Sequence, residues 1–347
     1  MTKPTASRIA INGYGRIGRC VLRALYECGY RDHLQVVAIN EIADLATVAH
    51  LTKYDSTHGR FPGEVKTLDN GLSINGDAIA VLHEADPLQL NWQQFNVDLV
   101  FECTGWLSKR TDAELHIKNG AQRVLFSQPA DSDVDLTIIY GVNHQLIDNS
   151  AKIVSAASCT TNCVVPVIEC LDQAVGIEHG VITTLHSSMN DQPVIDAYHH
   201  TDLRKTRSAS QSIIPVDTQL AKGIDRLLPH LAGRFEAQAL RVPTINVSAI
   251  DLSVVVKRNT TSQEINRILQ HCANNSFANI MGANIVGYSE EPLASCDFNH
   301  DQRSTIVDAS QTRVAGERLV KVLLWFDNEW GFANRMLDVA KVWSNCF

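Results

Sequence analysis

Two stretches of this chain place reactive residues where backbone geometry favours their use. The first is Ala157-Ser158-Cys159-Thr160-Thr161-Asn162, which follows an apolar run, Lys152 to Ala156, and precedes Val164, Val167, Ile168 and Leu171 at helical spacing. Cys159 is thus expected at a strand-to-helix turn, where a helix N-terminus favours thiolate, the nucleophilic form, over thiol. Ser158 and Thr160 flank it with hydroxyls suited to holding an anion. The second is His186, which ends the alternating run Val181, Thr183, Leu185. Read as a β-α-β crossover, the spacing predicts neighbouring strand ends and puts Cys159 and His186 within hydrogen-bond reach as nucleophile and acid-base partner. The chain has 9 cysteines and 13 histidines, most of which need no chemical role, and the paired placement is what singles these two out. Cys28, Cys103, Cys163 and Cys170 lie among apolar residues and read as small buried hydrophobes.

A cationic site is expected close to this pair. The polar stretch Asn190 to Ser212 contains Arg204-Lys205-Thr206-Arg207, and a loop that long in a compact enzyme is often functional. Arg241 precedes another alternating run, Ala249 to Val256. Lys205 and Arg241 together suit a substrate phosphate bound through charge-assisted hydrogen bonds.

The elements that must carry these residues begin with a second constellation. Arg8 to Asn12 reads as a buried strand, followed by Gly13-Tyr14-Gly15-Arg16-Ile17-Gly18 and then Val21, Leu22 and Leu25 at helical spacing. Gly29 is placed to end that helix, and Gln35 to Ile39 supplies the next strand, closing on Asn40-Glu41. In this β-α-β setting the first glycine permits the tight turn, the second the approach of a pyrophosphate, and the third close helix-strand packing. The helix N-terminus then receives the phosphates. Glu41 is expected to accept hydrogen bonds from ribose hydroxyls and to repel a 2′-phosphate, which favours NAD over NADP. Val97 to Glu102, ending in Cys103-Thr104-Gly105, and Arg123 to Phe126, ending in Ser127, add strands whose small terminal residues suit a nucleotide across the sheet's carboxyl edge.

Composition limits the remaining classes. At 347 residues the chain is too long for one ordinary core and suits two domains, or one domain with a large insertion. A net charge of -8 disfavours nucleic acid and anionic membrane as partners. Met1 to Ser7 has no apolar leader segment, and no run approaches the roughly 18 uninterrupted apolar residues of a membrane span. The odd number of scattered cysteines, without C-x-x-C pairs, indicates neither a disulfide framework nor a metal site. The expected compartment is the cytoplasm.

Five signatures in order then carry a resemblance. They are Ile11-Asn12-Gly13-Tyr14-Gly15-Arg16-Ile17-Gly18-Arg19, Tyr54-Asp55-Ser56-Thr57-His58-Gly59, Ala157-Ser158-Cys159-Thr160-Thr161-Asn162-Cys163, Arg241-Val242-Pro243-Thr244 and Trp325-Phe326-Asp327-Asn328-Glu329-Trp330-Gly331. Nearly end to end, the chain resembles the glyceraldehyde-3-phosphate dehydrogenase family. The resemblance implies an α/β fold: a Rossmann dinucleotide-binding domain, 1–156, completed by a C-terminal helix in 328–347, and an α+β catalytic domain with a mixed or antiparallel sheet, 157–327. It implies a homotetramer that oxidises a small phosphorylated aldose through a thioester on Cys159. By position, His186 matches the activating partner, and Asn328 the anchor of the nicotinamide amide. Lys205 and Arg241 match basic substrate-site positions, and Thr160 and Thr218 match anion-site hydroxyls.

The departures bear on the substrate. Ser188-Met189 stands where glycolytic members have Tyr-Thr, Gln219 where they have glycine, Lys205 where they more often have arginine, and Glu41 where Asp is usual. The segments His186 to Gln192 and Gln211 to Gln219 are more similar to the D-erythrose-4-phosphate dehydrogenase branch. That branch implies oxidation of D-erythrose 4-phosphate to 4-phosphoerythronate, a step toward pyridoxal phosphate, with water resolving the thioester. The nearest alternative is a phosphorylating glyceraldehyde-3-phosphate dehydrogenase of glycolysis. More distant are a non-catalytic NAD- or RNA-binding protein, which the presence of Cys159, His186 and Asn328 argues against, and a cofactor-free cysteine hydrolase, for which the glycine turn would have no purpose.

Overall fold

The computed structural model describes residues 6–199, 201–277, 280 and 284–345. The leader-free reading of the N-terminus therefore rests almost wholly on residues outside those described. The chain divides into two compact units, one formed by residues up to Ser158 together with those from Ala333 onward, the other by Cys159–Phe332.

In the first unit, nine strands form one sheet in the order 136–137, 153–155, 123–126, 99–102, 7–12, 34–40, 77–82, 71–74 and 65–68. The pairing is parallel from the 136–137 edge as far as 77–82, and antiparallel for the last two strands. Ile9, Ile11, Val36, Ile39, Val100 and Phe101 are fully or almost fully buried, as expected for parallel strands covered on both faces. The helix after the glycine turn runs Arg16–Glu27, and Gly29 follows at φ +80, in the left-handed region open to glycine. The C-terminal helix spans Trp330–Ser344, two residues later than expected, because the Asp327 side chain accepts the N–H groups of Glu329 and Trp330 and caps the helix there. Within this unit Tyr30 donates to Asp338 at 2.9 Å and Arg123 to the Trp343 carbonyl at 2.6 Å.

The second unit holds a seven-stranded mixed sheet in the order 214–216, 235–241, 177–186, 248–256, 319–326, 305–315 and 286–289. Strands 177–186 and 235–241 run parallel, in a register that sets His186 opposite Arg241. Helix Cys159–Val175 buries Cys163, Val164, Val167, Ile168 and Leu171.

Two expectations are corrected here. Strand 153–155 belongs to the first sheet and 177–186 to the second, so Cys159 and His186 do not sit at neighbouring strand ends of one β-α-β unit. Instead the helix turns back at Gly176 (φ +67) into strand 177–186. Seventeen helical residues cover about 26 Å, and the ten-residue return strand covers about 33 Å, long enough to carry His186 back to the start of the helix. The second correction is a disulfide between Cys170 and Cys272, 102 residues apart, Cα–Cα 6.5 Å. Cys170 is therefore not one of the free buried thiols. Its partner is brought in by the packing of helix Ser262–His271 on helix Cys159–Val175, which spacing along the chain does not encode.

Candidate functional site

In the second unit, Cys159 is the first residue of its helix, reached through Ala157, which holds the left-handed backbone value φ +58. The Cys159 Sγ lies 3.7 Å from Nε2 of His186. The other ring nitrogen, Nδ1, is 2.9 Å from the Ser187 carbonyl oxygen. A carbonyl only accepts, so Nδ1 carries the proton and the neutral ring turns its Nε2 lone pair toward the sulfur. The thiol can thus give its proton to His186 directly.

The electrostatics differ from the expected thiolate. Burial pushes the Cys159 thiol up to about 11, outweighing Arg241 and the Thr160 and Cys159 backbone N–H groups, which favour the anion. Burial, with Arg241 next, pushes His186 down to about 4. A helix N-terminus supplies up to about 2 kcal/mol of anion stabilisation. Burial works against both charges and so favours neutral thiol and neutral imidazole over the ion pair.

Arg241 is a cation of the site with a donor to spare. Its Nε is buried and meets no hydrogen-bond partner among the described residues. Such an atom is costly unless an anionic oxygen completes it. Lys205 is otherwise disposed: its Nζ lies 2.6 Å from Asp191 Oδ2, so the charge expected to face a phosphate is already engaged by the chain's own carboxylate. Thr218 accepts the Leu220 N–H at 3.2 Å, and Gln219, exposed, is the N-cap of helix Leu220–Leu227. That helix packs on the nucleophile's helix, with Gly223 beside Thr161. Ser158 and Thr160 flank Cys159 and are partly buried. Met189 is 46% exposed, whereas Ser188 donates to the Val242 carbonyl.

Asn328 is held by two residues that sequence reasoning missed. The hydroxyls of Ser187 and Ser248 donate to its Oδ1 at 3.0 and 2.8 Å, and Ser248 Oγ accepts the Ser187 N–H. With Oδ1 so used, the Asn328 amide is oriented to present its NH2 as a donor. Ser187 follows the histidine in sequence, but nothing in the sequence marked Ser248.

In the first unit the glycine turn fits a dinucleotide. A Cβ on Gly13 (φ +88) would lie 2.6 Å from the Thr104 nitrogen, and one on Gly18 would collide with the Gly13 carbonyl. A Cβ on Gly15 would meet nothing within 4 Å, which leaves open ground for phosphate oxygens. No side chain caps the helix that starts at Arg16 and Ile17, and its first turn carries no acid. The Arg16 guanidinium pairs with both oxygens of Asp55. Although burial works against its charge, Arg16 and the His58 and Thr57 N–H groups hold Asp55 well below the carboxylate range. Glu41 accepts the Tyr14 N–H at 3.0 Å through one oxygen and the Ala43 N–H at 3.3 Å through the other, so its charge lies against the glycine turn.

Beneath the turn runs a buried polar chain that the sequence did not reveal. Trp92 Nε1 donates to His116 Nδ1, His116 Nε2 to Glu102, Asn12 to Glu102, and Asn40 to Asn12, at 2.6 to 3.0 Å. The second Glu102 oxygen accepts the Thr104 N–H at 2.8 Å, while the Ser127 N–H donates to the Glu102 carbonyl at 3.0 Å.

These features define an NAD-dependent dehydrogenase with a thiol in its catalytic unit. Residues 7–110 match the family model described as glyceraldehyde 3-phosphate dehydrogenase, NAD binding domain, and residues 158–328 match the one described as glyceraldehyde 3-phosphate dehydrogenase, C-terminal domain. The chain belongs to the glyceraldehyde-3-phosphate dehydrogenase family.

Proposed function

We propose that this protein oxidises D-erythrose 4-phosphate to 4-phosphoerythronate through a thioester on Cys159 that water resolves, and that it works as a cytoplasmic homotetramer. The observation that carries the chemistry is the Cys159–His186 contact at 3.7 Å, with the histidine tautomer fixed by Ser187. As Sγ adds to the aldehyde carbon, the thiol proton passes to Nε2 of His186 and on to the new oxygen, giving a thiohemiacetal. His186, neutral again, removes the hydroxyl proton as the carbon is oxidised. NAD supplies the hydride acceptor, and the glycine turn, Glu41, Thr104, Ser127 and the Asn328 NH2 are the groups that would hold it. The Cys159 N–H at the helix start and the His186 ring are the donors for the developing oxyanion. His186 then gives the proton taken from the hydroxyl to solvent; the neutral ring next takes a proton from water as the water oxygen bonds to the acyl carbon, the C–S bond breaks, and that proton passes from His186 to the departing sulfur.

Arg241 supports a phosphorylated substrate, because its buried Nε meets no acceptor among the described residues. The longer aldose is supported by Met189 and Gln219, which replace a hydroxyl and a bare glycine backbone at the expected anion positions. Self-association is supported by Val194, Ile195, Tyr198, Leu203 and Ile213, all at least 66% exposed along one loop region and its continuation. The test compares steady-state rates with both aldoses in phosphate-free buffer. Erythrose 4-phosphate is expected to give the higher kcat/KM, and Cys159→Ala to abolish oxidation while NAD still binds. A preference for glyceraldehyde 3-phosphate, with oxidation that stops without phosphate, would assign the glycolytic reaction instead.

A further inference from the structure

The Cys170–Cys272 disulfide lines a cleft rather than lying sealed in the core. The cleft, about 520 Å3 in volume, lies between helix Cys159–Val175 and helix Ser262–His271 with the turn that follows it. Gln173 and Ala174 line it from the first helix, and Glu264, Arg267, Ile268 and His271 from the second, at spacings of three and four that share one helical face. The lining has a sign. Arg267 is exposed and makes no hydrogen bond or ion pair among the described residues. His271 Nδ1 accepts from the Asn275 amide at 3.1 Å, so in the neutral ring Nε2 carries the proton and is a donor. Glu264, the acid of the lining, is engaged by Arg258 at 2.8 Å and by Thr260 at 3.0 Å. A cation, a ring donor and a disulfide thus share a space the size of a small-molecule site.

We propose that the Cys170–Cys272 disulfide is a thiol-exchange site, opened by an anionic low-molecular-weight thiol of the glutathione class that docks in this cleft. Positive charge beside a bound thiol raises its thiolate fraction, the form that attacks. The thiolate bonds to the sulfur of Cys272, the more exposed of the two residues at 8% against 4%. The bond between the two cysteines breaks, Cys170 leaves as thiolate and takes a proton from solvent, and a mixed disulfide remains on Cys272. A second molecule of the thiol then attacks the ligand's own sulfur, and Cys272 leaves and is protonated. Two thiols have become one small disulfide, and the protein bond has been reduced. The reverse sequence, with that small disulfide as oxidant, restores it. The consequence falls on the nucleophile's helix, since Cys170 lies three turns beyond Cys159. Closed, the bond ties that helix to a segment 102 residues later; open, the tie is lost. Neither aldose nor NAD takes part, so the inference stands apart from the substrate reading.

The test incubates folded, full-length protein, isolated without reductant, with glutathione or with its diethyl ester, whose carboxylates are blocked. Samples are acid-quenched over time and analysed by peptide mass spectrometry. The starting protein is expected to yield the Cys170 and Cys272 peptides linked, and glutathione to convert them to a Cys272 adduct with Cys170 free. Arg267→Gln is expected to slow the reaction with glutathione by about threefold, the scale of one exposed charge pair, and to leave the rate with the ester unchanged. Cys170→Ser removes the thiol that would expel the ligand, so glutathione disulfide should leave a lasting adduct on Cys272. Thermal unfolding gives a second readout: glutathione should lower the midpoint of the wild type by roughly 5 °C or more and leave that of Cys272→Ser in place. A disulfide that opens only when the protein unfolds, or a starting protein with both thiols free, would overturn the proposal. Equal slowing of glutathione and ester by Arg267→Gln, or no slowing of either, would refute docking of an anionic thiol in the cleft.

Discussion

The neutral state of the Cys159–His186 pair makes a quantitative prediction for cofactor-free protein. With its thiol pushed up to about 11, Cys159 is deprotonated in about one molecule in 10,000 at pH 7 and about one in 100 at pH 9. Iodoacetamide reacts with the thiolate, so the alkylation rate of Cys159 should climb by roughly 100-fold across that interval. An unperturbed thiol near 8.5 would gain only about 25-fold before levelling. A thiolate–imidazolium pair would already be fully reactive at pH 7 and gain almost nothing. The assay is mass spectrometry of the peptide that contains Cys159, because the exposed Cys296 competes for reagent and bulk labelling would merge the two. In His186→Asn the steep slope should persist, since no imidazolium stabilises the thiolate in the resting protein, while turnover should fall by about 100-fold or more with loss of the proton acceptor. A plateau in the wild type from pH 6 upward, abolished by His186→Asn, would refute the neutral pair and restore the ion pair.

Two further outcomes follow from the cofactor side. Ser248→Ala removes a donor to Asn328 and the acceptor for the Ser187 N–H, so KM for NAD should rise by about fivefold, the effect of one neutral hydrogen bond; inhibition by ADP-ribose, which lacks the nicotinamide, should stay unchanged, and an equal rise there would show a general structural fault instead. Glu41→Ala removes the charge lying against the glycine turn, so kcat/KM with NADP should improve by about tenfold relative to NAD; equal efficiency with the two cofactors in the wild type would contradict the role given to Glu41.

The glycine turn was legible because each glycine answers a steric demand that no other residue meets, and the contacts at Gly13 and Gly18 are those demands. Cys159 and His186 were legible as strand or helix termini, since periodicity marks where an element ends. Their sheet membership was not: an alternating run does not say which sheet it joins, and the reversal at Gly176 brought the two together by a different route. The helix N-terminus beneath Cys159 could be read from the sequence, but the enclosure that reverses its effect on the thiol comes from tertiary packing. Lys205 was visible as a basic residue in a basic run. Its partner Asp191, 14 residues earlier in a segment without periodicity, carried no signal of the pairing.

The polar chain from Trp92 to Asn40 also bears on how this scaffold can change over time. Glu41, proposed above to meet the ribose hydroxyls, accepts the backbone N–H groups of Tyr14 and Ala43 and shares no side-chain bond with the chain that braces the turn through Glu102. On that proposal, recognition of the nucleotide's 2′ position and rigidity of its cradle are carried by different side chains, Glu41 on one hand and Glu102, Asn12, Asn40 and His116 on the other. Cofactor preference would then be a property that lineages or engineers can retune at one half-buried position, while the buried polar chain beneath the turn stays untouched.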